Sequence, residues 1–144
     1  MSDKFVVGYD GSEVAQRAVE FAVGRAKIMG GSVTVVHVLE WSPYSFLTQE
    51  EIEERHVRRK QELERAETAL MAPIKASVEA AGVPVETHIK YGHVAKTLCD
   101  IASKTGATQL IVGRDGDGGI GTRLFGSVAG SLVQMAPVPC TIVP

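Results

Sequence analysis

Short, nearly continuous apolar runs alternate along this chain with stretches whose apolar residues recur every three or four positions. Lys4 to Tyr9 is the first run, the pattern of a strand buried on both faces of a parallel sheet. Ser12 is placed to cap a following helix, whose apolar face reads Ala15, Ala18, Val19, Ala22, Ala26 and Met29 and which Gly30 and Gly31 end. Ser32 to Leu39 is a second β-branched run, so the opening of the chain reads as a βαβ unit in a parallel sheet. Thr48 and Glu51 form a capping box, with Leu47 and Ile52 as a hydrophobic staple, and start a long helix. The first half of that helix, Glu50 to Arg65, is highly charged, with opposite charges four residues apart at Glu51/Arg55 and Glu54/Arg58, and reads as a solvated arm. Its second half carries an apolar stripe at Leu63, Ala66, Leu70, Ile74 and Val78, and Pro73 should kink or interrupt it.

Val83 to Tyr91 alternates, with Glu86, His88 and Lys90 on one side, as befits a half-exposed edge strand. A helix with Val94, Leu98, Ile101 and Ala102 inward then runs to Gly106. Gln109 to Val112 reads as a central strand, Val128, Leu132 and Val133 mark a last helix, and Pro137 to Pro144 holds a short strand at the second edge. Alternating β and α elements predict an α/β fold, a three-layer doubly wound open sandwich.

Size and composition narrow the function classes. The 144 residues, 44% of them apolar, suit a single domain spanning 1–144. With 15 basic against 17 acidic residues and a net charge of −2, nothing favours nucleic acid or a membrane surface as partner. The N-terminus lacks the apolar stretch of a signal peptide and no run is long enough for a membrane span, so the expected location is cytoplasmic. Cys99 and Cys140 form no CxxC pair, the four histidines have no metal-ligand spacing, and both cysteines read as reduced packing residues. The last strand carries no charge, an unusual way to leave an edge; pairing with a second copy of the chain would cover it.

The chemistry concentrates in Gly113 to Ala129, GRDGDGGIGTRLFGSVA, between the central strand and the last helix. Glycines allow main-chain N–H groups to converge on an anion, and a helix starting near Ser127 adds its unpaired N–H groups and dipole. The stretch therefore reads as a phosphate cradle, against the plainer reading of a glycine-rich surface loop. A second exit built for close approach, Asp10-Gly11-Ser12, follows the first strand. If the two strands are neighbours, both exits face one crevice at the point where strand order reverses. Asp10 could hold a ribose hydroxyl or a phosphate-bound Mg2+, or make an Asx turn that shapes the bend. The aromatics Trp41, Tyr44 and Phe46 could close over a ligand or pack beneath the next helix.

These residues resemble the nucleotide-binding branch of the universal stress protein family, whose pattern G-x2-G-x9-G-[S/T] is met by Gly113, Gly116, Gly126 and Ser127. The likeness runs the length of the chain: YDGS after the first strand, His37-Val38 closing the second, YGHVA, LIVG before the loop, GSVA after it, and APVPCTIV at the end. The resemblance implies an adenine nucleotide alpha hydrolase-like fold with five parallel strands in the order 3-2-1-4-5, and a homodimer paired antiparallel through the last strand, 138–143, with a tetramer as a further possibility. It implies that Gly8, Tyr9 and Asp10 line the adenosine and metal side, with Asp10 toward Mg2+, and that the Val38 main chain meets the adenine edge. Val112, Gly113, Arg114 and Gly116 would lie along ribose and phosphates, and Gly126, Ser127 and Val128 at the terminal phosphates. Arg123, like Arg114, suits a triphosphate electrostatically. Asp115 and Asp117 depart from the family pattern by placing negative charge in the cradle, which implies weaker ATP binding or a need for Mg2+; Gly118, Gly119 and Gly121 suggest a loop ordered by ligand.

The cradle lacks the Gly-Lys-Ser/Thr ending of a P-loop, so the expectation is an ATP-binding, dimeric regulatory or stress protein without efficient catalysis, with an unknown protein partner. The alternatives are a slow ATPase or adenylate-transferring enzyme using Asp10 and Ser127, and a nucleotide-independent interaction module working through the charged arm. A phosphoacceptor receiver domain is excluded, because the third strand ends in Lys90-Tyr91-Gly92 rather than in an acceptor Asp.

Overall fold

The computed structural model describes residues 2–40, 48–114 and 127–144, with Ser127 through its backbone. The loop aromatics Trp41, Tyr44 and Phe46, the staple residue Leu47, and residues 115–126 lie outside the described residues. The elements are β1 (Lys4–Gly8), α1 (Glu13–Met29), β2 (Ser32–Glu40), α2 (Gln49–Arg65), a π-helical turn (Ala66–Met71), α3 (Ala72–Ala80), β3 (Val85–Gly92), α4 (Val94–Thr105), β4 (Gln109–Gly113), α5 (Ser127–Met135) and β5 (Cys140–Val143). The five strands form one sheet in the order β3-β2-β1-β4-β5, and every pairing is parallel.

Strand alternation sends side chains into two cores, one on each face of the sheet. On one face Phe5, Val7, Val33, Val35 and Ile111 meet the alanine-rich side of α1 and Met71, Ile74 and Val78 of the long helix. On the other, Val6, Val36, Leu110 and Val112 meet Leu98, Ile101 and Ala102 of α4 and Ala129 and Leu132 of α5. Helices on both faces make the three layers expected of a doubly wound sheet. Met29 and Val133, expected on inward faces, are 42% and 74% exposed. Both stand at the margin of the buried stripe, α5 burying the side defined by Ala129 and Leu132 and α1 ending at the left-handed Gly30.

Caps follow local chemistry. Ser12 accepts from the Ala15 N–H and Thr48 from the Glu51 N–H, each satisfying one orphan donor of a first turn. The long helix departs from the expected stripe at one point. Its buried residues are Ala66, Met71, Ile74 and Val78, whereas Leu63 is exposed and Leu70 only partly buried. The π turn explains the shift: Ala72 donates to the Glu67 carbonyl, five residues back, so Met71 takes the core place after Ala66 that an α-helix gives to Leu70. Pro73, near the start of α3, has no N–H for the preceding turn and crowds it, and the wider π turn accommodates the ring. The interruption thus lies ahead of the proline.

No residue of α2 is buried, as expected of a solvated arm. It is tied to β3 where the Tyr91 hydroxyl donates to the Arg59 carbonyl at 2.9 Å and the Arg59 guanidinium lies 5.3 Å from the Tyr91 ring centre. Glu54 and Arg58 approach to 4.0 Å, both largely exposed, a contact worth little to stability. Leu98 is fully buried beneath the sheet's second face. Leu98→Ala should cost about 2–5 kcal/mol of unfolding free energy, while Val133→Ala should change it by less than about 0.5 kcal/mol, both read from urea denaturation midpoints.

Candidate functional site

Chain reversal at the centre of the sheet creates a crevice. β1 pairs with β2 on one side and β4 on the other, with Gly8 level with Val36 and Val7 level with Ile111. The carboxyl ends of β1 and β4 are therefore adjacent, and the turn after Gly8 lies beside Gly113 and Arg114. β5 runs parallel to β4, so the intervening α5 runs the opposite way and its N-terminus, Ser127, lies at this same end of the sheet. The two exits that carry the expected site residues thus share one rim. Gly116 and Gly126 lie outside the described residues.

Two glycines allow the close packing at this rim. A Cβ on Gly8 would sit 3.0 Å from a Leu98 methyl and 3.2 Å from a Val112 methyl. A Cβ on Gly113 would sit 3.0 Å from both Val14 methyls, so a bare β4 end lets the first turn of α1 rest against it. Past the strand, the Arg114 N–H donates to the Val143 carbonyl at 2.7 Å, and the residue is exposed. Val128 is half-buried against the α4/α5 core.

The turn after β1 is fixed from several sides. Asp10 Oδ1 accepts from the Ser12 N–H at 2.9 Å and from the Ser12 hydroxyl at 2.5 Å, while Ser12 Oγ accepts from the Ala15 N–H at 3.2 Å. Asp10 therefore makes the Asx turn, and one of its oxygens serves the bend. Gly11 has φ +84°, and a Cβ there would lie 2.7 Å from a Leu70 methyl of the π turn. Beneath the turn, His37 Nδ1 lies 2.8 Å from the Tyr9 carbonyl. Burial first, and the Asp10 charge second, push the Tyr9 phenol above its ordinary pKa, so it is a neutral hydroxyl at physiological pH. Sequence reasoning missed the roles of Leu70 and His37. The only signal for His37 was its place at the end of a strand, and for Leu70 there was none without the π register.

Val38 lies two residues beyond the level of Gly8, where β1 has ended. In a strand the N–H and C=O of one residue point the same way and alternate between neighbours. Tyr9 N–H donates to the Val36 carbonyl at 2.8 Å, so Val38, two residues on, directs its main-chain N–H and C=O to the same side, into the crevice. Among the described residues no group of three His, Cys, Asp or Glu could hold a metal ion. No helix among the described residues is long and apolar enough to cross a membrane. Cys99, buried in the α4/α5 core, and Cys140, partly buried against it, are free thiols, and burial pushes both pKa values up.

An all-parallel sheet in the order β3-β2-β1-β4-β5 with helices on both faces defines an open doubly wound α/β protein. Residues 1–144 match the Universal stress protein family, and the chain belongs to that family. It is 32% identical over 145 residues to a universal stress protein of Thermus aquaticus, covering 99% of both chains. It is 27% identical to universal stress protein Rv1996 of Mycobacterium tuberculosis, where it spans only 47% of the relative's length. Among solved structures it resembles the universal stress protein UspA of Lactobacillus plantarum (TM-score 0.86, 23% identity, covering 99% of this chain and 97% of that one). It also resembles a universal stress protein in complex with cAMP (0.69, 24%, 99% and 96%) and one from Archaeoglobus fulgidus in complex with dAMP (0.66, 23%, 99% and 98%). At these identities the structures speak for the fold.

The contact of Leu70 on Gly11 is open to a double-mutant cycle. Gly11→Ala should destabilise the chain by about 1–3 kcal/mol through its left-handed backbone. In a Leu70→Ala background the added cost should be smaller by more than about 0.5 kcal/mol, measured by chemical denaturation.

Proposed function

We propose that this chain binds an adenine nucleotide, ATP with Mg2+, in the crevice between the exits of β1 and β4, and that it acts as a dimeric regulatory stress protein rather than an efficient enzyme. The observation that carries this reading is the adjacency of the two exits, with the Val38 main chain turned into the gap beside them. Val38 then offers the base a donor and an acceptor. Asp10, Gly113 and Arg114 flank the ribose and phosphates, and the N–H groups opening α5 meet the terminal phosphates. The cAMP and dAMP carried by two universal stress proteins of the same fold support an adenine nucleotide as ligand class.

Binding without turnover is favoured by the state of Asp10. Its Oδ1 already accepts two hydrogen bonds from Ser12 and so acts as a structural acceptor, poorly placed to activate water. Titration calorimetry with ATP and Mg2+ should give a Kd below about 1 mM. Arg114→Ala should weaken it up to about tenfold through loss of a charge-assisted contact. No heat at millimolar ATP would remove the reading, and phosphate release that vanishes in Asp10→Ala would turn it toward an ATPase.

The dimer rests on β5. Pro139 and Val143 turn their carbonyls toward β4, so Cys140 and Ile142 direct N–H and C=O outward along an edge without a charged side chain. A second copy pairing there would satisfy those groups. Sedimentation equilibrium should give twice the monomer mass of 15.4 kDa at micromolar concentration, and a monomer throughout would exclude this assembly.

A further inference from the structure

We propose that His37 is a positioning residue that keeps the Val38 N–H available to a nucleotide base. The inference rests on the nucleotide-binding reading above and deepens it. In a parallel ladder, once Tyr9 N–H has donated to the Val36 carbonyl, the next bond would run from the Val38 N–H to the Tyr9 carbonyl. Here the Tyr9 carbonyl accepts instead from His37 Nδ1, at 2.8 Å. A carbonyl only accepts, so Nδ1 carries the proton.

The placement follows from strand alternation. Val33 and Val35 face the core beneath α1 and the long helix, so His37 points to that face, where Tyr9 also packs. The chain leaves the sheet at Tyr9 on its way to α1, and the imidazole stands directly under that departure. A side-chain donor thus replaces a main-chain donor. Two effects follow: the Tyr9 carbonyl is occupied by a side-chain donor, and the Val38 N–H is left for a ligand acceptor.

The chemistry recognised is that of a ring presenting an acceptor next to a donor, as the adenine N1 and exocyclic amine do. Hypoxanthine presents the reverse pair and should be rejected. His37→Leu would let Val38 N–H close onto the Tyr9 carbonyl. Asn places an amide nitrogen where His37 has Nδ1, so His37→Asn should preserve the arrangement, whereas the longer Gln side chain would carry its donor past the carbonyl.

The test combines calorimetry and amide exchange on the full chain. His37→Leu should bind ATP about tenfold more weakly than wild type and lose most of the preference for ATP over ITP, while His37→Asn retains both. Equal affinity and selectivity in the Leu variant would overturn the proposal. Without nucleotide, the Val38 amide should exchange about tenfold more slowly in His37→Leu than in wild type or His37→Asn; equal rates in all three would also overturn it. Should the Leu variant not fold, His37→Gln carries the same expectations. If wild type binds no nucleotide, the functional reading fails and the exchange comparison alone decides the role of His37.

Discussion

The pairing of β1 with β4 is the constraint on which the rest of this structure depends. β1 sits at the centre of the sheet, and the chain builds outward from it twice, first through β2 to β3 and then through β4 to β5. α1 and the long helix cover one face and α4 and α5 the other. At the carboxyl ends of β1 and β4 the connections part to opposite faces, and the space they leave is the crevice. Were the two strands separated by another, Asp10 and Ser127 would belong to different regions of the surface.

Close approach at that seam is achieved by removing atoms rather than adding interactions. Gly8 admits Leu98 and Val112, Gly113 admits Val14, and Gly11 admits Leu70 while supplying a left-handed turn. The polar contacts then act over a few residues: Asp10 to Ser12, Ser12 to Ala15, His37 to Tyr9. The turn after β1 is thereby held by contacts within the chain itself.

Much of this was legible in the residues. The apolar runs marked β1, β2 and β4, the alternating charges of Glu86, His88 and Lys90 marked an edge, and Ser12 and Thr48 announced the helices they cap. These features depend on neighbours within a turn or on strand periodicity, and local chemistry decides them. The exchange of Leu70 for Met71 in the core depends on a hydrogen-bond register that periodicity assumes to be uniform. The exposure of Met29 and Val133 depends on where a helix overruns the sheet it covers. The hydrogen bond from His37 needs the register of β2 against β1, which no motif encodes. Strand order itself came from family resemblance, since alternating βα units fit several orders, and the cradle residues Gly116 and Gly126 lie beyond the described structure.

The π turn has a consequence for the outward half of the long helix. A helix that spends one extra residue in a turn emerges rotated by roughly 100° about its axis relative to an uninterrupted one. The azimuth of the charged outer segment is therefore fixed by Ala66–Met71, while Ile74 and Val78 stay seated below. Deleting a single residue in that turn would swing a different set of charges toward Tyr91 and present solvent with another face, leaving the sheet beneath as it was. Surface identity and core identity are thus separable along one continuous helix.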